Sequence, residues 1–326
     1  MSIAEPISAT TAVAATAKVK TRKVKEGREP VGRSVAATLS SPTGRVIVYI
    51  LVFLWTIPTF GVLVSSFRKE LDVKTTGWWQ VFWKPSLTLS NYTSVLGSKS
   101  GGDNLSKFFG NSLRITIPAV ILSVGVAALA AYAFSWMEFK GREWVFTTVV
   151  AMLVVPLQMA LVPLLRLFTG GAHIGTFTIF PDLNLQNSII PIWVAHTCFG
   201  MPFCIFLLKN FMSALPRELI EAARVDGAGH LTVFRKIVLP LSLPAVASLG
   251  IFQFVFIWND LIIGKVYGGT KNQPIIAKLV EVSGTRGQSW HLLTAAAFIS
   301  MVVPLVVFFS LQRYFVRGLL AGAVKG

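Results

Sequence analysis

Six stretches of this chain stay apolar for about twenty residues each, the length a helix needs to cross the roughly 30 Å hydrocarbon core of a bilayer. They are 46–67, 115–136, 144–165, 188–208, 241–263 and 292–311. The first, second and last carry no charge; the third has Gln158 as its strong polar group, the fourth has His196, and the fifth has Gln253, Asn259 and Asp260. Prolines inside them, such as Pro156, Pro163 and Pro304, are tolerated in membrane helices because neighbours re-satisfy the freed carbonyls. Composition agrees: 13% of residues are charged, against about 25% in soluble domains. The net charge of +16 would suggest nucleic acid on a soluble chain. Here the basic residues lie between apolar runs and form no single face, so a nucleic-acid partner and an ordinary cytosolic enzyme are both set aside. The pattern predicts an all-α polytopic membrane protein with six transmembrane helices, in contact with membrane lipid.

An even number of spans puts both termini on one side. Eighteen of the thirty Lys and Arg residues fall on the side shared with the termini, which by the positive-inside rule predicts cytoplasmic termini and a bacterial-type plasma membrane. Residues 1–44 are Ala/Thr-rich and then basic, with no apolar core before Val46. They read as a disordered cytoplasmic tail facing anionic lipid, not as a signal peptide. Residues 45–107 form the first span and a long outer loop, 108–316 hold the other five spans, and 317–326 form a cytoplasmic tail. Cys198 and Cys204, the only cysteines, read as small buried hydrophobes on different helix faces.

The polar segment 213–240, between the fourth and fifth spans, carries the strongest signal. It reads as a short helix over 217–225 opened by Pro216, a turn at Gly227 and Gly229, and a second helical stretch from His230 to Val238. Within it stand Glu221-Ala222-Ala223, then Gly227 after three residues, Ile237 after nine, and Leu239-Pro240 after one. Adjacent alanines allow a partner surface to approach closely, the glycine permits a tight turn, and Glu221 offers one charge to a partner donor.

This spacing matches the EAA motif of type I ABC importer permeases at every fixed position, and the chain resembles that family. Further likeness covers residue 85 to the end: Leu89-Ser90-Asn91-Tyr92, Asn111-Ser112-Leu113, Ala131-Tyr132-Ala133, Phe139-Lys140-Gly141, Trp258-Asn259-Asp260, and the tail from Gln312 to Gly318 with Gly322 to Gly326. These resemble the carbohydrate branch, similar to the maltose permease, and the tail with Thr76-Gly77-Trp78-Trp79 looks most like α-glucoside permeases. The resemblance implies a permease subunit of a carbohydrate importer working with a second homologous permease, two ATPase subunits and an extracytoplasmic sugar-binding protein. It also implies that Glu221, Ala222, Ala223, Asp226, Gly227, Ile237, Leu239 and Pro240 couple this chain to an ATPase. Other sugars or glycerol phosphate are alternative cargoes within the family.

No phosphate-binding G-x-x-x-x-G-K-[ST] loop occurs. ATP and Mg are therefore expected on the partner ATPase, with no cofactor on this chain and no enzymatic activity of its own. The four histidines are scattered and form no metal set. Intramembrane polar groups are costly and serve as functional hypotheses: Gln158, His196, Gln253, Asn259 and Asp260 for sugar hydroxyls, and Trp258 for stacking a sugar face. Their structural readings are interhelical bonding and packing, a buried neutral state for His196, and pairing of Asp260 with a group such as Arg114. Trp78, Trp79 and Trp83 read as an interfacial belt, with a sugar platform as the alternative. An ion-coupled secondary transporter is the rival function; it calls for several intramembrane carboxylates and often an internal repeat, whereas one carboxylate falls inside these spans.

Overall fold

The computed structural model describes residues 41–97, 105–185, 187–283 and 289–323; the basic stretch from Lys18 to Arg33 and the final Val324-Lys325-Gly326 lie outside them. The chain divides into two units, Met1–Pro58 and Thr59–Gly326. In the first, helix α1 (Pro42–Ser66) starts where the Ser41 hydroxyl accepts the Gly44 N–H at 3.1 Å, an N-terminal cap. Its side chains there are exposed, Tyr49 by 71% and Trp55 by 81%, as suits a helix whose surroundings are apolar.

In the second unit the outer loop after α1 is built from α2 (Glu70–Thr75), a 3-10 turn (Trp78–Phe82) and α3 (Ser90–Leu96). Trp78 packs edge-on to Phe60 at 5.8 Å and closes on Gly61, where a side chain would collide with its indole. Trp79 and Trp83 remain exposed. Arg68 is buried, donating to the Asp72 and Thr76 carbonyls and to the Thr76 hydroxyl. Buried Asn91 donates to the Ser66 and Arg68 carbonyls at 2.9 and 2.8 Å, and Tyr92 pairs with Ser66 at 2.7 Å. The Leu89–Tyr92 motif thus folds the loop onto itself.

Helix α4 (Leu105–Trp136) packs against α7 (Ile190–Met212) and against α10 (Leu239–Trp258), which in turn packs on α13 (Trp290–Ala323). One cluster of buried side chains, including Tyr132, Leu208, Met212, Ile220 and Val238, seals the end of these helices that bears segment 213–240. Others, around Ile192 and Ile263 and around Phe254 and Trp258, seal the opposite end. Among the described residues, five helices are long and apolar enough to cross a membrane.

The expected third span is different. It is α5 (Arg142–Ala151) with a 3-10 turn (Met152–Val154), then α6 (Leu157–Gly170), bent by 104°. Val155 and Pro156 are extended (φ −71°, ψ 119° and φ −63°, ψ 126°), because a proline pushes its predecessor out of the helical region and supplies no N–H. The third apolar stretch is therefore a bent pair of helices and not one continuous span.

Two more expectations are corrected. Helix α10 stops at Trp258, so Asp260 lies beyond the fifth span; its carboxylate accepts the Ile263 N–H at 2.7 Å and opens the short α11 (Ile262–Tyr267). Of the cysteines only Cys204 is buried, while Cys198 is exposed. A two-stranded hairpin, β1 (Ala172–Ile174) with β2 (Phe177–Phe180), follows α6 and turns at Gly175 (φ +59°). After α11 comes α12 (Ile275–Ser283). Asn111 donates to the Lys271 and Gln273 carbonyls at 2.9 and 3.1 Å, and the Ser112 hydroxyl accepts the Ile275 N–H at 2.8 Å. The Asn-Ser pair that opens the second span is thus a clamp on that loop.

Candidate functional site

Segment 213–240 folds as α8 (Arg217–Val225), α9 (His230–Val233) and one π-helical turn (Phe234–Val238) that runs into α10. The end of α8 accounts for the spacing between the alanines and the glycine. The Ala228 N–H reaches back to the Ala223 carbonyl at 2.9 Å, and the Gly227 N–H to the Arg224 carbonyl at 3.0 Å. This pair of bonds is a Schellman motif, which needs a left-handed residue just past the helix. Gly227 supplies it with φ +80°. Asp226 is the last residue before that turn and is exposed.

Helix α8 is two-faced. Ile220 is 1% exposed and packs with Ala223 into the inner cluster. On the other side Leu219, Ala222 and Val225 lie open, Val225 by 88%, and Leu231 beyond the turn is also exposed. An apolar stripe without a partner on a polar segment marks a contact surface. Glu221 is exposed too, beside a hollow of about 250 Å³ that it shares with Glu138, Arg142, Arg217 and Arg224. Ile237 and Leu239 pack against the inner cluster on either side of fully buried Val238, and Pro240, which has no N–H to give to the preceding turn, follows the π-helical turn.

The segment is held to α4 by contacts that the motif alone does not reveal. The Arg224 guanidinium donates to the Trp136 carbonyl at 2.7 Å. The Tyr132 hydroxyl and His230 Nδ1 are 3.1 Å apart, and the Tyr132 ring lies edge-on to Phe234 at 5.3 Å. The signal for them was Ala131-Tyr132-Ala133, whose two alanines keep that face of α4 narrow; Ala131 is completely buried. The π turn left no signal, since its residues are ordinary helix formers.

The polar residues of the spans scatter. Trp258 is 2% exposed, donates to the Ser300 carbonyl at 3.1 Å and stacks on Phe254 at 5.7 Å, an interhelical packing role. Asn259 turns back onto the Val255 carbonyl at 2.8 Å. Gln158 is exposed, two residues past Pro156. Gln253 is buried against Gly200, where any side chain would collide with its amide, and its Nε2 has no hydrogen-bond partner. His196 is 3% exposed, its Nδ1 likewise without a partner. It lines a cleft of about 610 Å³ that runs along the break at Met152–Leu157 and is walled by Cys198, Phe199, Pro202, Phe256 and Ile263. Among the described residues no His/Cys/Asp/Glu group could hold a metal.

This arrangement of membrane helices, with an amphipathic helix at a turn between two of them, is a permease fold. A solved bacterial ABC transporter involved in the import of the acidic polysaccharide alginate has a chain that shares it, at TM-score 0.63 and 15% identity over 89% of this chain and 99% of that one. Residues 119–320 match the family model for the binding-protein-dependent transport system inner membrane component, and the chain belongs to that family. It is a multi-pass membrane protein. It is 49% identical to the osmoprotective compounds uptake permease protein GgtD of Synechocystis sp. over 281 residues, 84% of this chain and 89% of the relative. It is also 49% identical to the alpha-glucoside transport system permease protein AglG of Rhizobium meliloti over 245 residues, 74% of this chain and 61% of that relative.

Proposed function

We propose that this chain is the permease subunit of an ATP-driven carbohydrate importer, that its cargo is an α-glucoside, and that segment 213–240 transmits the ATPase's motion to the membrane helices. One observation carries the reading: α8 ends in a Schellman turn at the motif glycine and leaves Leu219, Ala222 and Val225 open on a helix otherwise anchored by Ile220. Family membership supports the importer, and the name of the Rhizobium relative supports the α-glucoside. The chain has no phosphate-cradling loop, so ATP and Mg bind on two partner ATPases, and a second homologous permease completes the pore. Both termini are cytoplasmic on this reading, in line with the bias of Lys and Arg.

The working cycle follows from differential affinity. A binding protein carrying sugar meets the outer loops at 68–110 and 265–291. ATP binding favours the outward-facing arrangement over the inward-facing one, and only that difference in free energy can drive the change. The ATPase docks on the open stripe of α8. Glu221 and Asp226 supply charge at the rim of that contact, Ala222 lets the surfaces close, Ala223 seats the helix on its own inner cluster, and Ile237, Leu239 and Pro240 pass the displacement into α10.

The test is co-purification. The tagged chain is solubilised gently from its host membranes and its partners are identified by mass spectrometry. An ATPase, a second permease and a binding protein are expected, with ATP-driven uptake of an α-glucoside after reconstitution. Recovery of the chain with no ATPase in several detergents would overturn the reading.

A further inference from the structure

We infer that the cleft beside Pro156 is a water-lined cargo contact in the outer half of the membrane, where a sugar ring lies against Phe256 and Phe199 and bonds His196. The inference rests on the carbohydrate reading above. Its first support is the bent helix pair. Residues 152–156 are exposed, and the backbone is extended at Val155 and Pro156. Peptide groups outside a helix are not left facing lipid; at membrane depth they line a wet cavity or are covered by protein. Discontinuous helices form the binding sites of many transporters for this reason.

The second support is the histidine. His196 is 97% buried by residue and its ring lines the cleft; the Nδ1 atom is enclosed and without a partner, while buried polar groups are as a rule paired. Along α7, four residues on, Gly200 carries the unpartnered amide of Gln253. Gln253 is buried outside the cleft's lining, so the polar ring in the wall itself is that of His196. The rest of the wall is apolar: Met152, Leu153, Val154, Pro202, Phe256 and Ile263. A lipid chain would suit that wall and leave His196 unpaired. A pyranose suits both, because its C–H face packs on aromatic rings while its rim offers hydroxyls. The volume, about 610 Å³, falls in the range of roughly 300–1,000 Å³ usual for small-molecule sites.

The third support is position. His196 is the seventh residue of α7, whose other end leads to segment 213–240. That sets it about 9 Å along the helix from the end remote from the ATPase surface, where cargo delivered from outside first enters.

Cys198 reports on the same cleft in the unmodified protein. It is exposed and lines the wall, while the only other cysteine, Cys204, is fully buried. The experiment uses the whole transporter purified through this chain, in proteoliposomes with its binding protein and ATP, and [14C]sucrose, [14C]trehalose and [14C]maltose as probes. A charged methanethiosulfonate should modify Cys198, and the transported sugar should slow that reaction several-fold. His196→Leu should lower the uptake rate about tenfold, the loss of one hydrogen bond to the moving sugar, with ATPase activity retained. His196→Gln should restore uptake to within about twofold of wild type on the same scale. Reaction of Cys198 with lipid-soluble maleimide only would mean a lipid-filled cleft and overturn the inference, and so would shielding of Cys198 from every reagent, which would mean a partner helix sits there. Sugar-independent labelling in a transporter that moves sugar would overturn it and leave the carbohydrate reading intact. Failure of the wild-type transporter to move any of the three sugars would overturn both.

Discussion

At its outer end α4 is fastened by Asn111 and Ser112, which bond the backbone of the loop leading into α12 at 2.8 to 3.1 Å. At its inner end it meets the segment around α8 and α9 through Arg224 on the Trp136 carbonyl and Tyr132 against His230. Asn111 and Ser112 are themselves buried, at 6% and 0% exposure, in a seam with Ile275 at 0%, and the bond onto the Ile275 N–H is fully enclosed. The inner ones involve exposed partners, since Arg224 and His230 both lie open. Buried bonds to backbone fix a loop in one arrangement because releasing it strands N–H and C=O groups without water. Exposed single bonds exchange with water at little cost. One helix thus carries a staple at one end and a more exposed contact at the other, the arrangement that the proposed movement of segment 213–240 calls for.

The largest effect that would sharpen this contrast is expected from Gly227→Val. A β-branched side chain at φ +80° costs about 1–3 kcal/mol, and the open space around Gly227 means that the fault is conformational. ATP-driven uptake should fall to background while the purified protein still melts cooperatively; Gly227→Asn, which tolerates that backbone, should retain part of it. Next comes the staple. Asn111→Ala and Ser112→Ala should each lower stability in detergent by about 1–3 kcal/mol, read by thermal unfolding, because loop backbone groups lose a side-chain partner there. Smaller still is Tyr132→Phe, which keeps the ring against Phe234 and removes one bond worth about 0.5–1.5 kcal/mol. Its mark should be in the ratio of sugar moved to ATP hydrolysed, not in melting. If inner and outer substitutions destabilise equally, the contrast between staple and exposed contact fails.

The smallest effect is expected at the exposed pair of Glu70 and Lys74. The Lys74 hydrogen bond holds the Glu70 carboxyl below its usual value. A lowered carboxyl adds stability above its unfolded pKa and loses it as pH falls through the folded one. For so exposed a pair, Glu70→Gln should leave melting at pH 7 unchanged within error, and any difference from wild type should vanish on acidification.

Much of the inner site was legible in the sequence, for a physical reason. The interval from Ala223 to Gly227 is the length of a helix-ending hydrogen-bond motif, so the letters encode geometry directly. Asn91 and Asn111-Ser112 were legible only as a family likeness; that they clamp loop backbone is decided by packing. What hydropathy could not convey was continuity. Residues 144–165 are apolar throughout, yet the ladder of hydrogen bonds breaks at Pro156, because solvent preference is blind to a missing N–H. Asp260 was counted inside a span by the same measure, although Asn259 and Asp260 end one helix and cap the next. Facing was equally hidden: Cys198 and Cys204 differ by six residues in one apolar run, and only packing decides which of them meets the cleft.

The π turn at Phe234–Val238 does not interrupt the helix that contains it. From His230 to Trp258 the backbone runs unbroken for 29 residues, about 43 Å at the rise of an α-helix. One end bears the residue that meets Tyr132, and the other carries Phe256 on the wall of the cleft. On the proposed function, a push at the His230 end of so long a helix would be felt at Phe256 through the backbone itself, with no relay of side chains in between.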